Sequence, residues 1–301
     1  IVDHAAGRNR YVGYLISLAS HSYKDLKIGL DCANGASWTI AKSVFDALGA
    51  RTCVIGDMPD GLNVNEGCGS THIEKLQALV KEKGLDVGFA FDGDADRCIA
   101  VDENGKIVDG DGILYVLGRR LKAKGALDKN RIVATVMSNT GLFRALEDAG
   151  IEYETTSVGD RFVYERMEEE GLRLGGEQSG HIIIRKYATT GDGLLTAIML
   201  TEEMRDKKSG LSKLSEPVVL FPQKTKNVRV TDKNAAINDE VLLKKFEEIH
   251  AELGRNGRAV LRASGTEPVL RIMLECKSEE KCDRYISALY SIVKKRGYCC
   301  E

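Results

Sequence analysis

The sequence lacks long apolar runs, a strong excess of charge of either sign and low-complexity tracts. No stretch approaches the roughly 20 apolar residues that span a bilayer. Its 43 Lys and Arg nearly balance 45 Asp and Glu, so nothing predicts attraction to nucleic acid or to acidic membranes. The first residues include no Met and do not resemble a signal peptide. We therefore expect a cytoplasmic protein with free cysteines, entered part-way along a longer chain, with no nucleic-acid or membrane partner.

The 301 residues are too many for one ordinary core and suit two or three domains. Strand-like and helix-like stretches alternate in the first two thirds, which is typical of α/β structure. We expect two mixed-sheet α/β sandwich domains, at 1–105 and 106–216, followed by a smaller α+β domain at 217–301. Polar turns near Asn104 and Glu216 define these boundaries.

Local patterns predict individual elements. Strands are expected over 27–31, 51–56, 85–91, 132–137 and 153–158. A capping box from Thr71 to Glu74 predicts a helix that stops at Gly84. Further helices are expected over 160–170 and 193–207. After Val218 we expect two strands, a helix, two more strands and a final helix.

An acidic loop, Asp92-Gly93-Asp94-Ala95-Asp96-Arg97, follows the strand predicted at 85–91. Three carboxylates at alternate positions are suitable ligands for Mg²⁺ or Ca²⁺. Arg97 beside them suits a phosphate. The same residues also fit part of an EF-hand loop, but position 6 of that loop is arginine rather than glycine and the flanks are strand-like. A plain solvated turn is the other alternative.

A second polar loop, from Gly175 to His181, combines glycines with hydrogen-bonding side chains. Glu177 and Ser179 point the same way if the segment is extended, and such a pair can hold two sugar hydroxyls. An ordinary hairpin turn is nearly as good an interpretation of this motif alone. His181 fits a structural role as well as a catalytic one.

A third loop lies between the strands predicted at 259–262 and 269–275. Ser264, Gly265 and Thr266 offer amide and hydroxyl donors for an anion. Arg262 and Arg271 occupy the ends of the strands that this turn joins, so both can approach one phosphate. The alternative is a surface hairpin with two scattered arginines. Together, the three loops describe a site for a phosphorylated sugar and metal-assisted phosphoryl transfer.

The three loops, in this order, resemble domains two, three and four of the α-D-phosphohexomutases, and the resemblance covers essentially the whole chain. It implies a Mg²⁺ site at Asp92, Asp94 and Asp96, with Arg97 beside it as a catalytic arginine. It also implies a set of substrate-binding residues: Glu177, Gln178, Ser179, Asp160, Arg161, Arg262, Ser264, Gly265, Thr266 and Arg271.

The Glu177-Gln178-Ser179 version of the sugar loop is similar to the branch of this family that acts on glucosamine phosphates. That resemblance implies interconversion of glucosamine 6-phosphate and glucosamine 1-phosphate, a step toward UDP-N-acetylglucosamine. Family members use a phosphoserine and pass through a 1,6-bisphosphate, here glucosamine 1,6-bisphosphate. Glucose or mannose phosphates are the alternative substrates, and a non-catalytic sugar-phosphate-binding module is the alternative class.

The family's phosphoserine lies in a Ser-His-Asn-Pro loop, and no such segment occurs in this sequence. Ser20-His21 lacks the Asn-Pro and is not expected to be the nucleophile. We expect the serine in an N-terminal domain of the same protein, so that this chain alone binds ligands without turnover. The general base is either His181 or a basic residue of that other domain. A homodimer is left open.

Overall fold

The computed structural model describes residues 5–264 and 267–300. The chain divides into two compact units, the first comprising Ile1–Ser138 with Ala145–Val218 and the second Asn139–Arg144 with Val219–Glu301. Among the described residues, no helix combines the length and apolar character needed to cross a membrane.

The first sheet of the first unit has five strands. They are β1 (Lys27–Asp31), β2 (Arg51–Ile55), β3 (Val87–Phe91), β4 (Cys98–Asp102) and β5 (Ile107–Val108), in the spatial order β2-β1-β3-β4-β5. β1 pairs in parallel with β2 and β3, whereas β3–β4 and β4–β5 are antiparallel. The accompanying helices are α1 (Ala5–Leu18), α2 (Ala41–Ala47) and α3 (Glu74–Lys83). Every residue of β3 and β4 is buried, as expected for strands covered on both faces.

The second sheet of this unit has four strands. They are β6 (Arg131–Thr135), β7 (Glu152–Thr156), β8 (Leu174–Gly176) and β9 (Ile182–Ile184), in the order β7-β6-β8-β9. Its helices are α4 (Gly110–Ala123), α6 (Asp160–Glu170), α7 (Gly193–Lys207) and α8 (Leu211–Ser215). A further helix, α5 (Thr140–Asp148), belongs to the second unit up to Arg144 and to the first unit beyond it. α7 is buried along most of its length, so it forms a central layer of the first unit rather than a surface helix.

The two sheets of the first unit share one topology. In each, the first strand pairs in parallel with the second and the third, and the fourth strand returns antiparallel to the third. The third and fourth strands are joined by a short turn in both sheets. The turn between β3 and β4 is the acidic loop, and the turn between β8 and β9 is the sugar loop. Two equivalent hairpins therefore carry the two predicted loops of this unit.

The second unit has a three-stranded antiparallel sheet. Its elements are β10 (Gln223–Arg229), α9 (Lys233–Ile237), α10 (Glu240–Leu253), β11 (Gly257–Ala263), β12 (Val269–Cys276) and α11 (Glu279–Lys295), with the strands in the order β10-β12-β11. Apolar residues of all three strands and of α9, α10 and α11 form one buried core. The hairpin between β11 and β12 carries the predicted phosphate loop.

The predicted fold class, two mixed α/β sheets followed by a smaller α+β module, is confirmed. Two local predictions were wrong, and one helix was missed. Thr71 does not cap α3, whose N-cap position is Ile73 with no side-chain hydrogen bond. Only one strand, β10, lies between Val218 and α10, because the second stretch forms α9. α4 was not foreseen, since the glycines at its start indicate a turn. The bounds of the three domains remain a prediction.

Candidate active site

The acidic loop connects β3 to β4, with Phe91 and Cys98 paired across the hairpin. One carboxylate oxygen from each of Asp92, Asp94 and Asp96 lies within 4.8 Å of the others. Asp94 is exposed, whereas Asp92 is only 9% exposed. Because antiparallel strands flank the loop on both sides, the EF-hand alternative does not fit, since that motif requires helices.

The surroundings of Asp92 disfavour the ionised form of its carboxyl group. Burial raises its pKa to about 6, and the neighbouring Asp96 and Asp94 charges reinforce this, while a hydrogen bond from the Arg97 backbone N–H opposes it. That N–H donates to Asp92 Oδ1 at 3.1 Å, and Arg97 Nε lies 3.5 Å from Asp92 Oδ2. Asp96 Oδ1 is buried without a hydrogen-bond donor in the described structure. Three converging carboxylates, one with an unsatisfied buried oxygen, fit a divalent cation such as Mg²⁺.

Gly93 and Ala95 shape the backbone of the acidic loop. The left-handed residue of this loop is Ala95, with φ of +63°, and not Gly93. A Cβ on Gly93 would lie 2.6 Å from Val64 Cγ1. Gly93 is therefore needed for close packing rather than for a special backbone conformation.

His181 directly supports the acidic loop. Its Nδ1 lies 3.1 Å from Asp96 Oδ2, and its Nε2 accepts the Gly191 backbone N–H at 3.0 Å. The ring is 3% exposed. Since Nε2 accepts a hydrogen bond, the neutral tautomer carries its proton on Nδ1 and donates it to Asp96. This geometry matches a histidine that orients a metal-binding carboxylate.

The sugar loop is hydrogen-bonded to the strand that follows the acidic loop. Arg97 and His181 form an antiparallel bridge, and the Cys98 N–H donates to the Gly180 carbonyl at 3.0 Å. Gly180 has φ of +95°, and a Cβ there would lie 2.4 Å from the Cys98 carbonyl oxygen. Only glycine satisfies both conditions. Backbone hydrogen bonds therefore join the two hairpin turns to each other.

A cavity of about 530 Å³ lies beside this junction in the first unit. Its lining includes Arg97 of the acidic loop and three residues of the sugar loop, Glu177, Gln178 and Ser179. Glu177 Oε1 accepts the Gly159 N–H at 2.8 Å. One carboxylate oxygen is thus fixed by the backbone, and the loop presents the set of hydrogen-bonding groups that suits a polyhydroxylated ligand.

The N-terminus of α4 packs against the sugar loop. The Gly110 N–H donates to the Gln178 carbonyl at 3.0 Å, and a Cβ on Gly110 would lie 1.9 Å from the Glu177 carbonyl oxygen. Asp109 caps α4 by accepting the Gly112 N–H, and it also accepts from Gln178 Nε2 at 3.2 Å. Burial raises the pKa of Asp109, which these hydrogen bonds oppose.

Of the predicted substrate-binding residues in the first unit, two lie outside this cavity. Asp160 and Arg161 are exposed at the start of α6. The Arg161 guanidinium pairs with Glu165 one turn along the same helix, at 2.7 Å. The neighbouring Val158 does line the cavity. The structure therefore brings the backbone of this segment to the site, through Gly159 and Val158, but not those two side chains.

The predicted phosphate loop lies in the second unit. Arg262 on β11 and Arg271 on β12 are directly paired across the hairpin. Ser264 is buried, its N–H donates to the Val269 carbonyl at 2.8 Å, and its Oγ accepts the Glu267 N–H at 3.3 Å. Arg271 Nε is buried and has no acceptor in the described chain. Gly265 and Thr266, also predicted here, lie outside the described residues.

Several cavity residues were missed by sequence reasoning. They are Ser70, Thr71, Ile73, Ile99, Ile107, Asp109, Thr135, Met137 and Val158. Ser70 is the most notable, since its Oγ is buried and has no partner in the described parts of the chain. Asp109 could have been found from the sequence, because Asp followed by small residues and an apolar run is an N-cap pattern.

Ser20 and His21 belong to a different cluster. The Ser20 hydroxyl donates to Glu202, whose carboxylate also accepts both backbone N–H groups of Ser20 and His21. The His21 ring lies 3.3 Å from Asp206. Ser20 is thus bound to a buried carboxylate. That it is not the nucleophile stays a prediction.

Comparisons with known proteins agree on one family. Models described as phosphoglucomutase/phosphomannomutase match in three parts: alpha/beta/alpha domain II at residues 9–105, alpha/beta/alpha domain III at 109–220 and the C-terminal domain at 226–291. The phosphoglucosamine mutase of Lachnospira eligens is 55% identical over 99% of the chain, and that of Lachnoclostridium phytofermentans is 50% identical over 99%. The chain spans 66% of the length of each of these relatives.

Solved structures share the fold. A phosphoglucomutase/phosphomannomutase family protein from Burkholderia thailandensis has a TM-score of 0.75 at 23% identity, over 97% of this chain and 65% of its own. An Aspergillus fumigatus N-acetylphosphoglucosamine mutase, solved with GlcNAc-6P and magnesium, has a TM-score of 0.73 at 18% identity, over 96% and 65%.

Proposed function

Because the chain belongs to the α-D-phosphohexomutase family, we propose that it forms the metal-, sugar- and phosphate-binding parts of a phosphoglucosamine mutase. The reaction interconverts glucosamine 6-phosphate and glucosamine 1-phosphate through a phosphoserine and glucosamine 1,6-bisphosphate. It takes place in the cytoplasm and supplies UDP-N-acetylglucosamine synthesis. The two relatives named phosphoglucosamine mutase support this substrate over glucose or mannose phosphates.

The observation that carries the proposal is the junction between the two hairpin turns of the first unit. It links Arg97, which borders the three carboxylates, to His181 at the end of the sugar loop. A phosphoryl group transferred to a sugar hydroxyl must lie within reach of both a cation and the sugar. The hydrogen-bonded pair of turns provides that proximity.

We assign one role to each predicted domain, at 1–105, 106–216 and 217–301. Asp92, Asp94 and Asp96 of the first would hold Mg²⁺, which neutralises charge on the transferred phosphoryl group. Arg97 provides a second positive charge next to this position.

In the second domain, Glu177 and Ser179 bind sugar hydroxyls from the cavity wall. The Gly159 N–H fixes Glu177 Oε1, which leaves Oε2 as the acceptor for a hydroxyl. Because the carboxylate is held before the sugar arrives, little side-chain entropy is lost when it binds.

In the third domain, Arg262, Ser264 and Arg271 bind the substrate's phosphate group. Two guanidinium groups on facing strand positions provide several N–H donors for its oxygens. The intermediate must bind in two orientations, so this phosphate site serves both halves of the reaction.

The phosphoserine comes from a further domain of the same protein, since no Ser-His-Asn-Pro segment occurs among these 301 residues. The chain is accordingly expected to bind Mg²⁺ and sugar phosphate without catalysing the mutase reaction. His181 acts here by orienting Asp96, which leaves the proton transfers to a basic residue of the further domain.

The test is calorimetric titration of the chain, with Mg²⁺, against glucosamine 6-phosphate, glucose 6-phosphate and mannose 6-phosphate. We expect glucosamine 6-phosphate to bind most tightly and Arg262→Ala to abolish binding. Arg284→Ala is the matched control, because this exposed arginine of α11 pairs with Glu252 away from the phosphate loop. Equal binding of the three sugars would reject the glucosamine assignment, and binding that Arg262→Ala leaves intact would reject the phosphate site.

A further inference from the structure

The side-chain amide of Gln178 is fixed in one orientation. Its Nε2 lies 3.2 Å from Asp109 Oδ2. An ionised carboxylate only accepts hydrogen bonds, so the amide must direct its N–H toward Asp109 and cannot direct its oxygen there. Asp109 therefore determines which end of the Gln178 amide remains available.

The available end is the oxygen. Gln178 lines the cavity with Glu177 and Ser179, and no donor in the described parts of the chain is hydrogen-bonded to Gln178 Oε1. An amide oxygen accepts up to two hydrogen bonds. The site thus contains an acceptor to which the described parts of the chain donate no hydrogen bond.

Both partners are held rigidly. Asp109 Oδ1 accepts the Gly112 N–H at 3.1 Å in the first turn of α4, and the Gln178 carbonyl accepts the Gly110 N–H at 3.0 Å. The carboxylate and the loop are therefore both attached to the start of the same helix. Such support from the surrounding structure keeps a binding group in place before the ligand arrives.

The charge around this acceptor favours a cationic donor. Charged side chains that line the cavity are the carboxylates of Asp109 and Glu177 and the guanidinium of Arg97. An ammonium group on a sugar has three N–H donors, a positive charge and no acceptor. Its hydrogen bond to Gln178 Oε1 would be charge-assisted and stronger than that of a neutral hydroxyl in the same place.

We propose that Asp109 is a positioning residue that orients the Gln178 amide so that its oxygen accepts from the ammonium group of an amino sugar phosphate. The inference rests on the proposed function and deepens it, because it names the pair of residues that distinguishes an amino sugar from a sugar with a hydroxyl at the same carbon.

Asp109→Asn reverses this orientation with little change in volume. The new side chain keeps an oxygen for the Gly112 N–H but turns an NH₂ group toward Gln178. The Gln178 amide must then flip, which presents an N–H to the cavity where the oxygen was. We expect the preference for glucosamine 6-phosphate over glucose 6-phosphate to fall about tenfold, the size of one charge-assisted hydrogen bond.

The experiment measures Kd values for both sugar phosphates, with Mg²⁺, in the wild-type chain, Asp109→Asn, Gln178→Met and the double variant. Because Asp109 acts through Gln178, Gln178→Met should lose the same preference, and Asp109→Asn should add nothing to it. Asp232→Asn is the matched control, since Asp232 also caps a helix through one oxygen but does not line the cavity.

Each outcome has a defined meaning. A wild-type preference that Asp109→Asn or Gln178→Met leaves unchanged overturns the positioning role while the proposed function stands. An effect of Asp109→Asn that persists in the Gln178→Met background shows that Asp109 acts without Gln178, which also overturns it. A wild-type chain that shows no preference for the amino sugar overturns both this inference and the glucosamine assignment. Asp109→Asn could destabilise α4, which Asp109 caps. Gln178 caps no helix, so Gln178→Met tests the role of the Gln178 amide without that effect.

Discussion

Arg262 and Arg271 lie directly opposite each other on the antiparallel strands β11 and β12. Side chains in such a pair point to the same face of the sheet, and like charges in this position destabilise it. Arg271 Nε is buried without an acceptor in the described chain. An arrangement that costs stability in the free protein is explained if an anion binds between the two guanidinium groups.

The first prediction concerns this pair of arginines. Arg262→Ala should leave stability unchanged or raise it by about 0.2–1 kcal/mol in buffer of low ionic strength without phosphate, because it relieves repulsion. Adding inorganic phosphate should raise the Tm of the wild type and not that of the variant. Differential scanning calorimetry with and without phosphate measures both effects. Arg284→Ala should respond to phosphate like the wild type, and an equal response of Arg262→Ala would contradict the prediction.

The sequence predicted the positions of the three loops better than the other residues that line the cavity. The acidic loop, the sugar loop and the phosphate loop each lie in a hairpin turn after a strand, as the local patterns of glycine and apolar residues indicated. Ser70 and Thr135 could not be predicted as cavity residues, because they come from segments far from the loops in sequence. Ser70 lies before α3 and Thr135 ends β6, and only the fold of the first unit brings them to one cavity.

Two helix starts were misinterpreted from the sequence. Thr71 and Glu74 match a capping box, yet the helix begins without a side-chain cap. At the start of α4, Gly110 and Gly112 have poor intrinsic helix propensity. Gly110 is needed there because the adjacent sugar loop leaves no space for a Cβ. Tertiary contacts that no local pattern encodes override propensity at that position.

The second prediction concerns His181 and the metal. Replacing His181 with Ala removes the hydrogen bond that orients Asp96, so Mg²⁺ affinity should fall by about 10–100-fold without being abolished. Titration calorimetry with Mg²⁺ alone measures this change. His21→Ala serves as the control, because His21 contacts Glu202 and Asp206 instead. Unchanged Mg²⁺ affinity in His181→Ala would show that Asp96 needs no orienting partner.

The third prediction is a pH dependence in the second unit. Asp239 Oδ2 accepts from Arg296 Nε at 2.7 Å and from the Tyr298 hydroxyl at 3.1 Å, while Oδ1 caps α10. The hydrogen bond from Arg296 is the main reason that the pKa of Asp239 lies below its ordinary value of 3.8. A lowered pKa means that the ionised carboxylate stabilises the fold above that ordinary value. The stabilisation is lost as the pH falls through the lower folded-state pKa.

Asp239→Asn should therefore lower the free energy of unfolding at pH 7 by about 1–2 kcal/mol, reduced by the exposure of Arg296. The difference in free energy of unfolding between the wild type and this variant should become smaller as the pH drops below 3.8. Urea unfolding at several pH values measures the gap. Asp232→Asn, a helix cap with no cationic partner in the described residues, should show little pH dependence. A gap for Asp239→Asn that stays constant from pH 7 to pH 3 would refute the assignment.

The fourth prediction tests whether the sugar loop depends on the start of α4. A Cβ on Gly110 would lie 1.9 Å from the Glu177 carbonyl oxygen and 2.8 Å from the Gly180 nitrogen. Because both contacts are with backbone, Gly110→Ala must push the loop away, at a cost of about 1–3 kcal/mol or more. Sugar-phosphate affinity should fall as well, since the same shift moves Glu177 and Ser179.

Gly13→Ala is the matched control for that substitution. A Cβ on Gly13, within α1, would meet no atom within 4 Å, so alanine should stabilise the helix by about 0.5–1 kcal/mol. Thermal unfolding should show that Gly110→Ala is less stable than the wild type and that Gly13→Ala is more stable. Titration with glucosamine 6-phosphate should show weaker binding for Gly110→Ala only. Affinity that survives in Gly110→Ala despite reduced stability would mean that the sugar loop holds its shape without α4, and that its attachment to β4 through Gly180 and His181 is sufficient.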